Sequence, residues 1–331
     1  MEQDGTLPSA TDDPSALRAR VAELEREVRL LRVSYGSTFE ELQAAGKVGG
    51  GRVYRFEDLL SLSPEPTESA PPLIFVHVPK TAGTTTKNVL MRNFRFRLDS
   101  YGNDFFPRYY PDEFLSLVRP WISDDPRRPV FFTGHIDIAN DVFRYMPVPY
   151  LAITVLREPV SRIVSQYRAE SVLPTPVGAE MRTGKISLLE YFRRLYPPRL
   201  LQHQIFAPNS GDVDEALQNI GNKMSVFGLQ ERHDEFLVML GALLGLPDIV
   251  HAPLNVTSSR AVQVPPSEIE EIRELLSDDI AFYTRAKALY EARISQMPED
   301  FAARVDAYRR EKQQYLTRRE GIAHPWSRFY A

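Results

Sequence analysis

The stretch LIFVHVPKTAGTTTKNVL, residues Leu73–Leu90, joins a short apolar run to a turn that is rich in hydroxyl groups. Its first part is apolar, β-branched and aromatic, which is typical of a buried strand in a parallel sheet. Pro79 and Gly83 then mark a turn, where threonines surround Lys80, and a helical pattern follows from Thr84. The stretch therefore predicts a strand, a cationic turn and a helix, in that order.

The same alternation of short apolar runs and helical patterns continues along the chain. The predicted strands are Leu73–Val78, Val130–Thr133, Tyr150–Leu156 and Met224–Leu229. The predicted helices are Thr84–Arg92, Pro111–Trp121, Pro159–Ser171, Ser187–Tyr196 and Glu231–Leu244, with one or two long helices over 266–318. Strands that alternate with helices predict an α/β fold, with a P-loop-like parallel sheet flanked by helices. Ligands of such sheets bind at the carboxyl ends of the strands.

The bulk composition narrows the class of protein. The chain has 331 residues, of which 43% are hydrophobic, so a large core can form. Its net charge of −4 argues against a general nucleic-acid binder. The absence of cysteine excludes disulfides, thiolate metal sites and cysteine nucleophiles. Because the acidic N-terminus lacks the features of a secretory signal and no apolar run could span a membrane, we expect a soluble, cytoplasmic protein.

The N-terminal part of the chain differs from the rest. Residues 1–16 are expected to form a disordered lead, and 36–72 a linker that ends in a segment rich in Pro, Ser and Glu. Between them, residues 17–35 show apolar positions at heptad spacing, with valines at a and leucines at d, which favours a parallel coiled-coil dimer. The alternative is one amphipathic helix packed on its own domain. The main domain is predicted over 73–331.

The turn after the first strand has the chemistry of an anion site. Gly83 lets a backbone approach closely, while Thr81, Thr84 and Thr85 carry hydroxyl donors and Lys80 adds a positive charge. The alternative is a polar strand–helix turn capped by a threonine. A nucleoside triphosphatase would show G-x-x-x-x-G-K-[ST], whereas here the lysine precedes Gly83. Hydrolysis of ATP or GTP with magnesium is therefore disfavoured.

A second phosphate site is predicted by YLAITVLREPVSRIVSQYRAE, residues 150–170. Arg157 directly follows an apolar strand, and Ser165 lies in the helix after it, so that both could face the carboxyl edge of the sheet. The alternative for Arg157 is a structural salt bridge with Glu158 or another neighbour. Arg162 is expected to be a surface charge.

An imidazole is predicted at the same edge. His135 follows an apolar strand in VFFTGHIDIAN, which makes it a candidate base, although an ordinary strand-end histidine is the alternative. His77 competes with it, but it lies in the first predicted strand and is expected to be a core or supporting group. The other histidines show no ligand spacing, so no metal site is predicted: His203, His233, His251 and His324.

Together these segments resemble the carbohydrate sulfotransferases of the heparan sulfate 2-O-sulfotransferase and chondroitin sulfotransferase type. HVPKTAGTTT resembles the family's 5′-phosphosulfate loop, TVLREPVSRIVSQY its 3′-phosphate segment, and FFTGH the segment that carries the catalytic base. VFGLQERHDEFLVMLGALLGLP and APLNVTSS resemble it more weakly. The heparan enzyme has His-Gly-His, and Thr133 occupies the first place here. The membrane anchor of the Golgi enzymes is not seen, which suggests a soluble, bacterial-type member.

The resemblance implies a sulfotransferase fold and a donor, 3′-phosphoadenosine 5′-phosphosulfate (PAPS), that leaves as 3′-phosphoadenosine 5′-phosphate, without a metal. It implies that His135 is the general base and that Lys80 stabilises the leaving group. The residues implied to hold the 5′-phosphosulfate are Lys80, Thr81, Ala82, Gly83, Thr84 and Thr85. Arg157 and Ser165 are implied to hold the 3′-phosphate, and Thr257 to touch the nucleotide.

The expected acceptor is a hydroxyl group on a glycan or another hydroxylated metabolite, with residues 172–204 shaping its pocket. Two other functions stay open from the sequence. One is a small-molecule kinase or nucleoside triphosphatase, which a magnesium-dependent ATPase assay would reveal. The other is a non-catalytic, nucleotide-binding coiled-coil scaffold, which would bind the nucleotide without transfer. A homo-oligomer, preferably a dimer, is expected through residues 17–35.

Overall fold

The computed structural model describes residues 51–61, 71–94, 97–99, 131–140, 142–143, 146, 149–252 and 262–318. These residues contain a sheet of five parallel strands in the order β2-β3-β1-β4-β5. The strands are β1 Leu73–Val76, β2 Arg97–Asp99, β3 Phe131–Gly134, β4 Leu151–Leu156 and β5 Val226–Leu229. The predicted α/β fold with a parallel sheet flanked by helices is therefore confirmed.

Helices connect and flank the strands in the described part of the chain. They are α1 Phe56–Ser61, α2 Gly83–Asn93, α3 Pro159–Ser171, α4 Pro176–Arg182, α5 Leu188–Arg194, α6 Gln202–Phe206, α7 Val213–Lys223, α8 His233–Leu244, α9 Pro266–Leu275, α10 Ser277–Ile294 and α11 Phe301–Arg318. The region 266–318 thus holds three helices instead of the predicted one or two. The predicted helix Pro111–Trp121 and the heptad segment 17–35 lie outside the described residues, so the dimer stays a prediction.

The strands form where the sequence is continuously apolar. All residues of β1, β4 and β5 are buried, as expected for central strands covered on both faces. The polar residue of β4, Thr154, is accommodated because its hydroxyl donates to the Val76 carbonyl at 2.9 Å. The edge strand β2 is not predicted, because it is short and contains Arg97 and Asp99.

Residues 51–61 pack on the sheet domain instead of acting only as a linker. Val53 forms a parallel bridge with Tyr150, and the side chains of Phe56 and Leu59 lie in the main hydrophobic core. The apolar residues of VYRFEDLL make these contacts because they find a buried partner surface. None of the helices among the described residues is long and apolar enough to cross a membrane.

The strand order brings three predicted site segments to one place. β1 lies between β3 and β4, and each pair is parallel and in register. The turn after β1, His135 after β3 and Arg157 after β4 therefore leave the sheet at the carboxyl ends of three adjacent strands. The backbone N–H of His77 extends this pairing, since it donates to the Gly134 carbonyl at 2.9 Å.

Candidate active site

The turn between β1 and α2 has an unusual backbone. Lys80 and Ala82 both have a φ of 65°, which is the left-handed region that residues with a side chain rarely adopt. Each such residue costs on the order of 1 kcal/mol and persists only where the surroundings fix it. Ala82 is also the N-cap residue of α2, and its methyl group provides no capping oxygen. The first turn of α2 therefore begins without a side-chain cap, in a loop held in a strained conformation.

One predicted donor of this turn has a structural role instead. The Thr81 hydroxyl donates to the Val78 carbonyl at 2.8 Å, and Thr81 is fully buried. Its hydroxyl proton is thereby used inside the turn, which leaves the backbone N–H as the group of Thr81 that could face a ligand. Thr85 is also buried, whereas Thr84 is half-buried at the start of α2.

Position 83 has to be glycine because the ring of His77 occupies the space that a Cβ atom would need. A Cβ atom at this position would lie only 2.0 Å from Cδ2 of His77. The His77 ring also stacks on Phe75 and lies 4.4 Å from the ring of His135 between centroids. The sequence attributed the need for Gly83 to the close approach of a ligand, but it is the His77 ring that lies against this residue. This supports the predicted role of His77 as a core or supporting group.

The ring of His135 is oriented by the backbone of the first turn. Its Nδ1 lies 2.6 Å from the carbonyl oxygen of His77, so we assign the ring proton to Nδ1. This tautomer leaves the lone pair on Nε2, which is the atom that can accept a proton. Burial lowers the pKa of His135, the hydrogen bond to His77 raises it, and the charge of Lys87 lowers it. The net shift is downward, so His135 is a neutral base at pH 7.

Arg157 is locked against the same turn. Its Nη1 donates to the carbonyl oxygen of Lys80 at 3.0 Å. Its backbone is fixed by the Gln202 amide, which accepts from the Arg157 N–H at 2.9 Å and donates to the Arg157 carbonyl at 2.8 Å. The buried Nε of Arg157 has no hydrogen-bond partner among the described residues. Glu158, the suggested salt-bridge partner, instead caps α3 by accepting from the N–H groups of Val160 and Ser161.

The prediction that Arg162 is a surface charge is wrong. Its side chain is 0% exposed, and Nη2 lies 3.7 Å from Oδ2 of Asp279. Its guanidinium also faces the Tyr196 ring, at 5.8 Å from the centroid. Burial alone would lower the pKa of Arg162, but the contacts with Tyr196 and Asp279 raise it. The sequence did not reveal this, because Asp279 comes from the distant helix α10. Ser165 lies half-buried one turn further along α3.

Two charged residues near the site were missed by the sequence reasoning. Lys87 lowers the pKa of both His77 and His135. Its position four residues after Gly83 places it on the face of α2 that meets His77, which is a signal that could have found it. Glu170 accepts from the Tyr191 hydroxyl at 2.8 Å and from the Gln166 amide at 2.7 Å.

Glu170 acts electrostatically on the lysine of the turn. Burial and the charge of Arg157 lower the pKa of Lys80, whereas Glu170 raises it. No sequence signal linked the two residues, because Glu170 lies near the end of α3 and the fold alone brings its charge toward Lys80. Glu170 therefore favours the cationic form of Lys80.

The segment expected to shape the acceptor pocket contains a cleft of about 490 Å³. The aromatic and apolar residues that line it include Phe192, Tyr196, Pro198 and Leu201. Leu201 precedes Gln202, the residue that fixes Arg157, so the cleft lies close along the chain to the carboxyl edge of the sheet. The acceptor role of this segment stays a prediction. Thr257 lies outside the described residues.

Comparisons with known proteins find sulfotransferases. A family model described as the sulfotransferase family matches residues 67–204. Galactose-3-O-sulfotransferase 3 of Mus musculus is 25% identical over 308 residues, which span 82% of this chain and 69% of that protein. Galactosylceramide sulfotransferase of Bos taurus is 26% identical over 214 residues, which span 57% of this chain and 49% of that protein.

A solved sulfotransferase from Alicyclobacillus acidocaldarius is also similar to this chain. It is 15% identical, with a TM-score of 0.35, and the match covers 70% of this chain and 99% of that one.

The parallel sheet defines an α/β protein, and the model of the sulfotransferase family matches the segment that contains the turn after β1, His135 and Arg157. The predicted resemblance to carbohydrate sulfotransferases is confirmed by this family match and by the two relatives. Its assignment to a bacterial type stays a prediction.

Proposed function

We propose that this protein transfers a sulfuryl group from PAPS to a hydroxyl group of a galactose-containing glycan or glycolipid. The observation that carries the proposal is the meeting of the Lys80 turn, His135 and Arg157 at the carboxyl ends of three adjacent strands. The names of the relatives, which refer to galactose and galactosylceramide, support the acceptor class.

The residues of the turn fit the anionic end of PAPS. Successive backbone N–H groups in a turn with left-handed residues form a concave anion site, and Lys80 and Ala82 supply that geometry. The start of α2, which has no side-chain cap, adds the positive end of the helix dipole. We assign the 5′-phosphosulfate to this site, which comprises Lys80, Thr81, Ala82, Gly83, Thr84 and Thr85.

The 3′-phosphate is assigned to the next strand end. The buried Nε of Arg157, which has no partner among the described residues, supports an anionic ligand beside it. Ser165 would add a hydroxyl donor from α3. This assignment, and that of Thr257 to the nucleotide, rests on the resemblance of their segments. The contact between Arg157 and the Lys80 carbonyl would hold the two anion sites at a fixed separation.

His135 would remove the proton of the acceptor hydroxyl. Its Nε2 would accept the proton, while Nδ1–H remains bonded to the His77 carbonyl and stabilises the resulting imidazolium. General-base assistance of this kind contributes about 10²–10⁴-fold to the rate. The lowered pKa of His135 keeps the ring ready to accept a proton at neutral pH.

Lys80 would stabilise the negative charge that develops on the leaving oxygen. When bound, PAPS supplies the activated sulfuryl group together with a phosphate leaving group. A positioned charge or donor at such an oxygen is worth about 3–4 kcal/mol. The ammonium group of Lys80 can provide this interaction because Glu170 favours its protonated form.

The direct test measures transfer from radiolabelled PAPS. The purified full chain is incubated with galactose-terminated oligosaccharides, galactosylceramide, other glycans and simple alcohols. We expect transfer to a galactose-containing acceptor and near-total loss in Lys80→Ala and in His135→Ala. Lys287→Ala, which removes an exposed lysine of α10, is the matched control and should keep the parent rate.

Measurements of nucleotide affinity distinguish the proposed role of Lys80 in holding the nucleotide from the proposed role of His135 as the base. The affinity for 3′-phosphoadenosine 5′-phosphate should weaken in Lys80→Ala and stay close to that of the parent in His135→Ala. Full transfer activity in His135→Ala would show that the base is another group. Magnesium-dependent ATP hydrolysis, or nucleotide binding without transfer to any acceptor, would instead favour one of the other two functions.

A further inference from the structure

A second pair of histidines, His233 and His251, contacts helix α2 through Thr86. His233 is the first residue of α8, Asp234 follows it, and His251 comes after the end of that helix. One ligand atom from each of these three residues lies within 4.8 Å of the other two. The two imidazole rings are nearly perpendicular, at 88°, with centroids 5.4 Å apart. The fold thus brings together residues whose spacing in the sequence gave no sign of a site.

The hydrogen bonds of His233 define its tautomer. Its Nε2 lies 2.9 Å from the hydroxyl oxygen of Thr86. That hydroxyl donates its own proton to the Ala82 carbonyl, at 3.3 Å. Because a threonine hydroxyl has only one proton, we assign Nε2 of His233 as the donor to Thr86. The lone pair of His233 is then on Nδ1, where it can bind a metal.

His251 is arranged in the same way. Its Nδ1 lies 2.8 Å from the hydroxyl oxygen of Tyr308, and that hydroxyl donates to the Ile249 carbonyl at 3.4 Å. We therefore assign the ring proton of His251 to Nδ1 and the lone pair to Nε2. Histidines that bind metals usually donate their other ring N–H to an oxygen, which fixes the ring and its tautomer. Both rings of this pair meet that description.

The surrounding charges also suit neutral ligands. Burial is the main reason that the pKa of His233 is lowered to about 3; His251 and Lys312 also lower it, and Asp234 raises it. Burial is also the main reason that the pKa of His251 is lowered to about 4; Lys312 and Arg92 lower it as well, whereas a backbone hydrogen bond to Ile249 and the charge of Asp234 raise it.

Asp234 supplies a carboxylate next to the two rings. Its Oδ1 accepts from Nζ of Lys312 on α11 at 2.6 Å. Lys312 is the charge that opposes a bound cation at this place. Removal of the Lys312 charge should therefore strengthen the binding of a metal ion. A purely structural cluster would not show this effect.

We propose that His233, Asp234 and His251 form a binding site for a divalent transition-metal ion of the Zn²⁺ class, with water as a further ligand. Two imidazole nitrogens and one carboxylate oxygen are a ligand set that suits Zn²⁺. An ion there would connect α8 to α2 through Thr86 and to α11 through Tyr308. The proposal is independent of the sulfotransferase chemistry, because none of these residues is assigned to nucleotide or acceptor.

The test titrates the tag-free full chain, after treatment with a chelator, with Zn²⁺ by calorimetry and with Co²⁺ by visible absorption. We expect one equivalent to bind to the parent. His251→Ala should weaken binding at least about 100-fold, since even the loss of an outer partner costs about 10–100-fold. Asp234→Asn should weaken it about 10-fold, and Lys312→Met should tighten it about 10-fold, as expected for one charge–charge interaction near a surface.

The control is His135→Asn, which removes an imidazole from the other histidine pair and should leave metal affinity unchanged. Loss of binding in this variant, with retention in His251→Ala, would assign the ion to the other pair and overturn the proposal. Absence of one-equivalent binding to the folded parent would overturn it as well. If circular dichroism shows that His251→Ala is unfolded, the folded variants Asp234→Asn and Lys312→Met decide: weaker and tighter binding support the site, and unchanged affinity in both contradicts it.

Discussion

Two pairs of histidines flank helix α2, and they differ in what surrounds them. The edge pair, His77 and His135, lies at the carboxyl ends of β1 and β3 with its rings 4.4 Å apart and tilted by 32°. The helix pair, His233 and His251, has its rings 5.4 Å apart and nearly perpendicular. Burial lowers the pKa of every ring in both pairs. A lowered pKa alone therefore does not distinguish a base from a metal ligand.

The neighbouring charges make that distinction. The edge pair is exposed to the positive charges of Lys80 and Lys87, an environment that attracts an anionic substrate. The helix pair has the carboxylate of Asp234 beside it, which can bind a cation and which in this structure accepts from Lys312. We therefore expect the same side chain to support different chemistry at the two places, because Asp234 offers the helix pair a carboxylate oxygen, whereas the side-chain charges that act on His77 are all positive.

The largest expected effect is a difference in kcat between variants of the edge pair and variants of the helix pair. His135→Ala should lower kcat by about 10²–10⁴-fold with little change in KM for PAPS, since it removes the proposed base but not the proposed anion site. His233→Ala should lower kcat by less than about 10-fold, because it acts on the turn only through Thr86. Steady-state kinetics with radiolabelled PAPS measures both. Equal losses in the two variants would contradict the separate roles.

The second effect concerns the stability of the helix pair at low pH. An unfolded histidine has a pKa near 6.5, whereas His233 and His251 have folded values of about 3 and about 4. Between pH 6.5 and 4 the unfolded chain therefore binds more protons, and the free energy of unfolding falls as the pH falls. The loss should be on the order of 3 kcal/mol for each of the two rings.

Urea unfolding at a series of pH values, with a chelator present, measures this loss. His233→Gln should flatten the pH dependence, because its side chain does not titrate in this range. The matched variant Lys287→Ala should keep the slope of the parent. If His233→Gln shows the same pH dependence as the parent, the helix pair does not control acid stability.

A third, smaller effect tests the packing of the edge pair. Gly83→Ala places a methyl group 2.0 Å from the His77 ring, and overpacking of this kind costs about 1–3 kcal/mol. Gly221→Ala in α7 is the control, because the nearest atom to its new methyl group is 3.8 Å away. That change should be neutral or stabilise by up to about 1 kcal/mol. Urea unfolding compares the two, and equal stability would show that the ring of His77 moves aside freely.

Much of the edge site could be predicted because its signals are local. Each strand is recognisable from its own apolar run, and a parallel sheet places the residues after such strands at one edge. Lys80, His135 and Arg157 are therefore brought together as the sequence predicted. Gly83 was also identified, although its closest neighbour is the His77 ring.

The rest depends on contacts between distant segments, which no local pattern shows. Arg162 is buried because Asp279 and Tyr196 come to it from other helices. The helix pair forms because the chain returns after α8, so the spacing of His233 and His251 does not resemble a ligand motif. Contacts of this kind are visible only in the folded chain.

The smallest expected effect tests the electrostatic support of Lys80. Glu170→Gln keeps an oxygen that can accept from Tyr191 but removes the charge that raises the pKa of Lys80. Lys80 should then lose its proton at a lower pH, so the alkaline limb of the transfer rate should shift to lower pH. At neutral pH the rate should fall by less than about 10-fold, the size expected for one charge that is not in direct contact.

The control for this prediction is Tyr191→Phe, which removes the hydrogen bond but leaves the carboxylate of Glu170 in place. Its alkaline limb should stay close to that of the parent. A shift in Tyr191→Phe as large as that in Glu170→Gln would mean that the position of the side chain matters more than its charge. If neither variant shifts the limb, another group controls the protonation of Lys80, and the edge site relies on its bound anion alone to keep the lysine charged.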